Sequence, residues 1–267
     1  MMELTSGQLV LLFVAFFLVS VIFMMFGQGG GAIYVPLLLA FGIPLYKAAA
    51  TSQVLIMAAT LSAILVFQRA KMIDWLLVLL IEPPTNLGAF LGGYLSPHFP
   101  TSFSKLTFAF ILFIGAYFMI KPLKEKIVVR DVWYYWKRQI GEYIYSVNVL
   151  AILPIMFFAG FVAGMLGVGG GLFKVPALVL LGSVSMKIAV GSSSLMIGIT
   201  ALTGLIGHAL VGHFDPRLAI TLGIAVFLGA QIGARTGIKI EKEKHKKYFG
   251  YLLIFVAFWM IYSAFKG

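Results

Sequence analysis

The sequence contains no cysteine and few charged residues. The absence of cysteine from all 267 residues excludes a disulfide framework and any metal site built from thiolates. Charged side chains make up 11% and hydrophobic ones 61% of the chain, whereas a soluble domain is about a quarter charged and about half apolar. With a mean hydropathy of +1.02, this composition predicts an integral membrane protein.

Acidic residues and histidines are scarce as well. Nine Asp and Glu stand against 20 Lys and Arg, which gives a formal net charge of +11. The basic residues lie in short segments beside apolar runs, where the positive-inside rule explains them, and so we expect no nucleic-acid partner. Four histidines and no H-E-x-x-H motif give little material for catalysis. We therefore expect no enzyme, no metal site and no cofactor.

Apolar runs fill most of the chain. Eight of them are long enough, at roughly 17 to 25 residues, to cross a bilayer as helices. The first lacks the basic stretch of a secretory signal, and we expect it to be retained. Two shorter runs follow glycine clusters, at 30–43 and 170–183. The eight long runs are 9–26, 48–67, 75–95, 104–120, 144–166, 188–209, 216–235 and 247–265.

The chain carries an internal repeat. GQGGGAIYVP begins at Gly27, and a close copy, GVGGGLFKVP, begins at Gly167. Without gaps, 27–55 and 167–195 share twelve of twenty-nine positions. With one extra residue in the second copy, the register continues further along both halves. Such duplication is typical of transporters and channels. We expect a first membrane repeat at 1–120, a basic aromatic linker at 121–147 and a second membrane repeat at 148–267.

Loop charge indicates how the repeats are oriented. The linker and the loop at 235–247 are both heavily basic and should be cytoplasmic, whereas 96–105, the counterpart of that loop, has one lysine. The charge bias therefore changes sides between the halves. This favours an all-α, multi-pass protein of the cell membrane, with two inverted repeats of about five segments each. If the short runs instead entered and returned, the linker and the loop at 235–247 would lie on opposite faces.

The linker has its own character. Residues 128–145, VVRDVWYYWKRQIGEYIY, are aromatic and charged without being apolar enough to span. We expect this segment to lie along the membrane interface, with a plain soluble connector as the alternative.

The two glycine clusters predict breaks in membrane helices. We expect helices to end near Phe26 and Leu166, and new helices to begin near Ile33 and Phe173. Non-helical backbone at membrane depth is tolerated only where protein or a water-filled cavity satisfies its polar groups. Free N–H groups and the positive ends of two helix dipoles would then meet near the midplane, which makes an anion site.

Further residues follow from the same argument. Pro36 and Pro176 should lie in the first turn of the new helices, where a missing N–H is harmless. Each half then has a polar cluster, TSQ at 51–53 and SSS at 192–194, whose donors suit sulfonate, sulfite or carboxylate oxygens. The predicted substrate-binding residues are Gln28, Gly29, Gly30, Gly31, Thr51, Ser52, Gln53, Gly169, Gly170, Gly171, Lys174, Ser192, Ser193 and Ser194.

These residues also have ordinary structural interpretations. Glycines often permit close helix packing, as we expect for the G-x-x-x-G pairs at 88–92, 160–164 and 229–233. Serine and threonine hydroxyls also bond within membrane helices. Asp74 and Asp215 recur at equivalent turns, where anchoring of a helix end is the favoured role.

Two charged residues inside apolar sequence are functional candidates. Lys174 stands one turn into the second short helix, where the first has Tyr34, and it could attract an anion or extend toward the interface. Glu82 is the only acid far inside an apolar run. It could carry a coupling proton, pair with a buried cation, or lie near an interface because Pro83 and Pro84 end its helix.

The motifs resemble those of a known family. The duplicated G-x-G-G-G-x-x-x-V-P, the following K-x-A-x-x-S and the aspartate before a G-A-x-x-G helix are similar to those of the TauE/SafE, or sulfite exporter, family. The resemblance covers nearly the whole chain except 121–147. It implies a transporter of sulfur-containing anions such as sulfite, sulfoacetate or other sulfonates, many of whose members are exporters of bacterial inner membranes.

The functional expectation is therefore a secondary transporter, an exporter of a sulfur-containing anion that works by alternating access. The alternatives are a passive anion channel, which shares every feature above, and a membrane-embedded enzyme. The expected partners are the small anion, the lipid bilayer and a second copy of the chain in a homodimer.

Overall fold

The fold is built almost entirely from helices. The computed structural model describes residues 6–121, 132–214, 216–239 and 243–266. A single 3-10 turn, Ser96–His98, follows the fourth helix. The helices of these residues are α1 Ser6–Met25, α2 Gly31–Ala40, α3 Leu45–Arg69, α4 Trp75–Leu95, α5 Thr101–Ile120, α6 Val149–Leu166, α7 Gly171–Leu180, α8 Met186–Leu210, α9 Pro216–Lys239 and α10 Glu243–Phe265.

Length and surface chemistry confirm a multi-pass membrane protein. Within the described residues, six helices are long and apolar enough to cross a membrane, namely α3, α4, α5, α6, α8 and α9. Shorter apolar stretches lie in α1, α2, α7 and α10. Large apolar side chains such as Leu79, Phe110, Phe158 and Phe255 are more than half exposed. Exposed apolar surface on so many helices suits contact with lipid.

The two halves have matching elements. Within the described residues each half contributes five helices, α1–α5 and α6–α10; α2 and α7 have ten residues each, and α3 and α8 have 25. The packing between halves follows the same correspondence. Helix α1 packs on α9 and α6 packs on α4, while α3 packs on α8 and α5 on α10. The opposite orientation of the halves across the membrane stays a prediction.

Small residues set the distance between these helices. A Cβ atom on Gly92 of α4 would collide with the carbonyl of Phe161 in α6, and one on Gly164 of α6 would collide with that of Ala89 in α4. Gly233 of α9 meets the carbonyl of Val21 in α1 in the same way. Glycine lets the backbones approach closely, as membrane helices require. The packing role expected for the G-x-x-x-G pairs is confirmed.

The linker contains a β-hairpin, which was not predicted from the sequence. Strands β1, Tyr135–Ile140, and β2, Tyr143–Asn148, pair antiparallel with Ile140 opposite Tyr143. Gly141, with φ of 57°, provides the positive φ that a two-residue turn needs. The apolar run predicted at 144–166 therefore begins as a strand and becomes a helix only at Val149. Aromatic and β-branched residues on both sides of the turn favour strands.

The hairpin is held by one buried carboxylate. Asp74 Oδ2 accepts hydrogen bonds from the Tyr145 hydroxyl at 2.6 Å and from Arg138 Nε at 3.0 Å. Its Oδ1 caps α4 by accepting from the N–H of Leu76 at 3.0 Å. Its own N–H donates to Ser192 Oγ at 2.9 Å. The anchoring role expected for Asp74 is confirmed, and its counterpart at 215 lies outside the described residues.

Acid should release the hairpin. Burial acts to raise the pKa of the Asp74 carboxyl, but hydrogen bonds from Tyr145 and Arg138 outweigh it and lower the pKa below its ordinary value. A lowered folded-state pKa gives stability that is present above the unfolded carboxyl value of about 3.9 and is lost as pH falls through the folded value. We expect the tryptophan fluorescence of the hairpin, measured during acid titration, to change below about pH 4.

The variant Asp74→Asn tests the assignment. The variant keeps an oxygen that can cap α4 but removes the negative charge. We expect its stability at neutral pH to fall by about 1–3 kcal/mol and the acid transition of the hairpin to disappear. Glu142→Gln, an exposed carboxylate at the turn of the same hairpin, is the matched control and should retain the transition. An unchanged transition in Asp74→Asn would contradict the assignment.

Candidate anion site

The first break is made by three glycines with positive φ. Helix α1 ends at Met25, and Gly27 has φ of 69°. The N–H of Gly27 donates to Met24 O and that of Gln28 to Phe23 O, both at 3.1 Å, which closes the helix end. Gly29 and Gly30 also have positive φ, 75° and 94°, and α2 begins directly after them. Positive φ values this close together favour glycine.

The second break repeats this design. Helix α6 ends at Leu166, Gly167 has φ of 73°, and its N–H donates to Ala163 O at 2.9 Å. Gly169 and Gly170 follow with φ of 70° and 79°, and α7 begins at the next residue. The predicted ends of α1 and α6 are confirmed within one residue.

The new helices begin earlier than expected. Both start two residues before the predicted positions, at Gly31 and Gly171, because the preceding glycine already turns the chain. The expectation that Pro36 and Pro176 lie in the first turn was therefore wrong, since each is the sixth residue of its helix. Each proline leaves the carbonyl four residues earlier without its helical partner.

The two breaks pack directly against each other. A Cβ on Gly31 would lie 2.7 Å from Gly167 O, and a Cβ on Gly171 would lie 2.8 Å from Gln28 O. The contact is reciprocal, since each glycine meets the break of the other half. No side chain fits at either position without moving the opposite backbone. The structure thus brings the predicted glycines of both halves into one place.

Eight backbone N–H groups meet there without an acceptor. They belong to 29–32 and 169–172, all of which are buried. Among the hydrogen bonds of the described residues, none uses any of these N–H groups as donor. Buried N–H groups without acceptors are rare, and each costs free energy until a partner is found. The paired breaks therefore form a concentrated set of free donors at two helix N-termini.

Three buried side chains beside the breaks also have free polar atoms. Gln28 Oε1, the Tyr34 hydroxyl and Thr51 Oγ1 have no hydrogen-bond partner among the described residues. The Tyr34 ring folds back over Gly30, so that a Cβ on that glycine would collide with it. The unpaired hydroxyl of Tyr34 thus lies at the N-terminus of its own helix.

The first polar cluster braces the second break. Ser52 Oγ donates to Gly167 O at 2.7 Å, and Gln53 Nε2 donates to Gly164 O at 3.1 Å. Both acceptors belong to the end of α6, where carbonyls lack helical partners. These two predicted site residues contact the opposite break through its carbonyls, and Thr51 is left without a partner.

The second polar cluster is also bonded within the protein. Ser193 Oγ donates to Val190 O at 3.1 Å, and Ser194 Oγ lies 3.6 Å from the sulfur of Met24 at the end of α1. Ser192 Oγ accepts the N–H of Asp74. Each cluster therefore packs near the break of the other half. Among the described residues around the breaks, the donors without a protein acceptor are the backbone N–H groups of 29–32 and 169–172 and the hydroxyls of Tyr34 and Thr51.

Two isoleucines fill the space between the breaks. Ile56 Cδ1 would lie 2.7 Å from a Cβ on Gly31, and Ile197 Cδ1 would lie 2.8 Å from one on Gly171. Both side chains also reach Gly29 and Gly169. Neither isoleucine is among the predicted site residues, although the two occupy equivalent places in the repeat once its extra residue is counted. In this conformation they pack against the glycines of both breaks.

The two charged candidates form an ion pair. Lys174 Nζ lies 2.6 Å from Glu82 Oε1, and both side chains are buried. Of the roles considered for Glu82, pairing with a buried cation is confirmed. Thr200, which is not among the predicted site residues, accepts a hydrogen bond from Lys174 Nζ at 2.6 Å. In the described parts of the chain, no group of three or more His, Asp or Glu side chains could hold a metal ion.

The contact between the breaks can be tested by adding methyl groups. We expect Gly31→Ala and Gly171→Ala each to lower stability by about 1–3 kcal/mol, because the new Cβ must displace backbone of the opposite break. Gly223→Ala in α9 is the control, since nothing lies within 4 Å of its Cβ position and its φ is not positive. Thermal unfolding of the purified protein in detergent measures the difference. Equal effects at all three glycines would refute the tight contact.

Comparisons with known proteins agree with this architecture. The model of the family described as sulfite exporter TauE/SafE matches residues 12–260. A probable membrane transporter protein of Bacillus subtilis, YunE, is 28% identical over 253 residues, covering 89% of this chain and 91% of the relative. A probable membrane transporter protein of Haemophilus influenzae is 27% identical over 260 residues, covering 97% and 95%.

A more distant source gives the same result. Probable membrane transporter protein MJ0441 of Methanocaldococcus jannaschii is 24% identical over 250 residues, covering 87% of this chain and 88% of the relative. No solved structure matches the chain. These names indicate a membrane transporter rather than an enzyme. The chain belongs to the sulfite exporter TauE/SafE family of membrane proteins.

Proposed function

We propose that the protein is a secondary transporter that exports a small sulfur-containing anion, such as sulfite, sulfoacetate or another sulfonate, by alternating access. The observation that carries the proposal is the set of buried N–H groups without acceptors at 29–32 and 169–172. The description of the matched family as sulfite exporters and the names of the relatives support transport of this kind.

The chemistry of the breaks favours an oxyanion as the cargo. N–H groups at helix N-termini donate hydrogen bonds, and the helix dipoles add partial positive charge at the same place. A sulfite or sulfonate group offers three oxygens, which can accept from several donors of both breaks at once. A cation in the same position would face N–H donors and a positive electrostatic potential. Both are unfavourable for a cation, so the position excludes it.

The isoleucines require a movement before the anion can enter. Ile56 and Ile197 fill the space beside the glycines of both breaks. An anion reaches the N–H groups only when these side chains move, which a shift of one half against the other achieves. The two halves would exchange roles, so that the site opens to one side of the membrane at a time.

The remaining parts of the proposal concern arrangement and partners. They comprise repeats at 1–120 and 148–267 in opposite orientation, an interfacial linker at 121–147 and cytoplasmic placement of the heavily basic loops. The cargo is the anionic partner, a second copy of the chain forms a homodimer, and no reaction is catalysed.

Flux into proteoliposomes tests the proposal. The purified protein is challenged in turn with radiolabelled sulfite, sulfoacetate, isethionate, taurine, sulfate and chloride, so that electroneutral movement is also detected. We expect saturable uptake of one or more sulfur-containing anions and little uptake of chloride. Unsaturable flux of every anion would identify a passive channel, and absence of flux in every case would refute anion transport.

A glycine variant places the site. Gly170→Ala leaves space for the methyl group, whose nearest neighbour would be Ala163 Cβ at 3.4 Å, but a φ of 79° is strained for alanine. The N–H groups should turn away from their shared position, and we expect the transport efficiency to fall at least about tenfold. Gly223→Ala serves again as the control with unchanged flux. Full activity of Gly170→Ala would move the site away from the break.

A further inference from the structure

A buried cluster of opposite charges joins three helices beside the second break. Lys174 of α7 contacts both Glu82 of α4 and Thr200 of α8, each at 2.6 Å. The Thr200 hydroxyl in turn lies 3.2 Å from Glu82 Oε2. All three side chains are buried. Removal of either charge would leave the other unpaired inside a membrane protein, which is strongly unfavourable.

The cluster touches the candidate anion site. The backbone N–H of Lys174 donates to Gly170 O at 3.0 Å, and its Cε would lie 3.6 Å from a Cβ on that glycine. The lysine side chain therefore folds over the N-terminus of α7, as the Tyr34 ring folds over that of α2. An anion held by the second break would lie within reach of the ammonium group.

The charged cluster occurs in one half only. In the register of the repeat, Tyr34 stands at the place of Lys174, Gly223 at that of Glu82 and Ala59 at that of Thr200. The first break thus has a neutral hydroxyl where the second has an ammonium group with its own counter-ion. The two halves share the free N–H groups but not the charges.

We propose that Glu82 is a proton-binding site that couples movement of the anion to movement of a proton. This inference rests on the anion transport proposed above. It follows from the position of Lys174. Without an anion, the Glu82 carboxylate neutralises the Lys174 ammonium group. An anion bound at the second break would replace Glu82 as the counter-ion of Lys174.

The coupled step balances in charge and protons. In the empty site, the Lys174 ammonium is paired with the Glu82 carboxylate. A monovalent anion pairs with the ammonium instead, and the released carboxylate takes one proton from the open side of the membrane, because a lone carboxylate in the protein interior is costly. The empty and the loaded cluster then have the same net charge. The anion and the proton move in the same direction. For export, the outward concentration gradient of the anion therefore has to exceed the inward concentration gradient of protons.

Among the described residues, the helices packed around Glu82 bring no further titratable side chain close to it apart from Lys174. Helix α6, which packs on α4, carries no titratable side chain. In α8 the titratable residues are Lys187 and His208, which lie near the two ends of the helix. In α7 Lys174 is the only titratable residue, and the neutral Asn86 and Thr200 complete the polar neighbours of Glu82.

Proton movement during flux is the direct test. Proteoliposomes containing an internal pH dye are given an inward gradient of isethionate, whose single sulfonate charge does not titrate near neutral pH, or of another sulfur anion that shows saturable flux. We expect about one proton to enter with each monovalent anion. Saturable flux without proton movement would overturn the coupling and leave the proposed transport intact. Absence of flux for every anion would refute both.

Glu82→Gln separates coupling from a structural role. The variant retains Lys174, so anion should still bind, and exchange of labelled for unlabelled anion across the membrane should persist. The empty site would carry an unpaired ammonium as it reorients, and net flux should therefore fall at least about tenfold and lose its proton movement. Equal loss of exchange and net flux would contradict the proposal.

Two further variants complete the test. Glu142→Gln makes the same substitution at the exposed hairpin turn and should leave net flux and proton movement as in the wild type. Glu82→Asp keeps the titrating group and should restore proton-coupled net flux, and it carries the test if Glu82→Gln does not fold. Proton movement that is unchanged in Glu82→Gln, or absent in Glu82→Asp, would overturn the assignment.

Discussion

Backbone N–H groups buried without acceptors are the constraint on which this structure depends. Two of the four groups in each break belong to successive glycines with positive φ, at 29–30 and 169–170, and the other two belong to the first turn of the helix that follows. On one side of each break, backbone hydrogen bonds satisfy the carbonyls at the end of α1 or α6. On the other side, the free N–H groups at the start of α2 and of α7 converge. The packing of the long helices positions the two sets face to face.

The halves support each other by crossed contacts. The polar cluster of α3 donates two hydrogen bonds to carbonyl oxygens at the end of α6, and the cluster of α8 lies near the end of α1. The two breaks have similar backbones but different side chains beside them. Tyr34 lies at the first break, and the ion pair of Lys174 with Glu82 lies at the second. The second polar cluster is linked to the hairpin through the bond between Ser192 and Asp74. The fold is nearly symmetric, whereas its charges are not.

Patterns of local sequence predicted the helices and the breaks well. Hydropathy located the long helices, and the doubled glycine motif located the breaks, because both depend on neighbours along the chain. The hairpin was not predicted because charged residues among the aromatic residues of 135–148 interrupt the alternation of apolar and polar side chains that indicates a strand. The contacts of Ile56 and Ile197 depend on how the two halves pack together, which the periodicity of apolar residues along the chain does not predict. The pairing of Glu82 with Lys174 was one of several options, since sequence gives the charges but not the distance.

The crossed contacts have a consequence for the origin of the protein. Each break is covered by the opposite break and by the opposite long helix, so a single half would leave its glycines and free N–H groups without neighbours. An ancestral gene that encoded one repeat could therefore have worked only as a pair of identical chains. Two repeats within one chain can each change separately. The lysine of one copy and the tyrosine of the other are a difference that no symmetric pair of chains could have acquired.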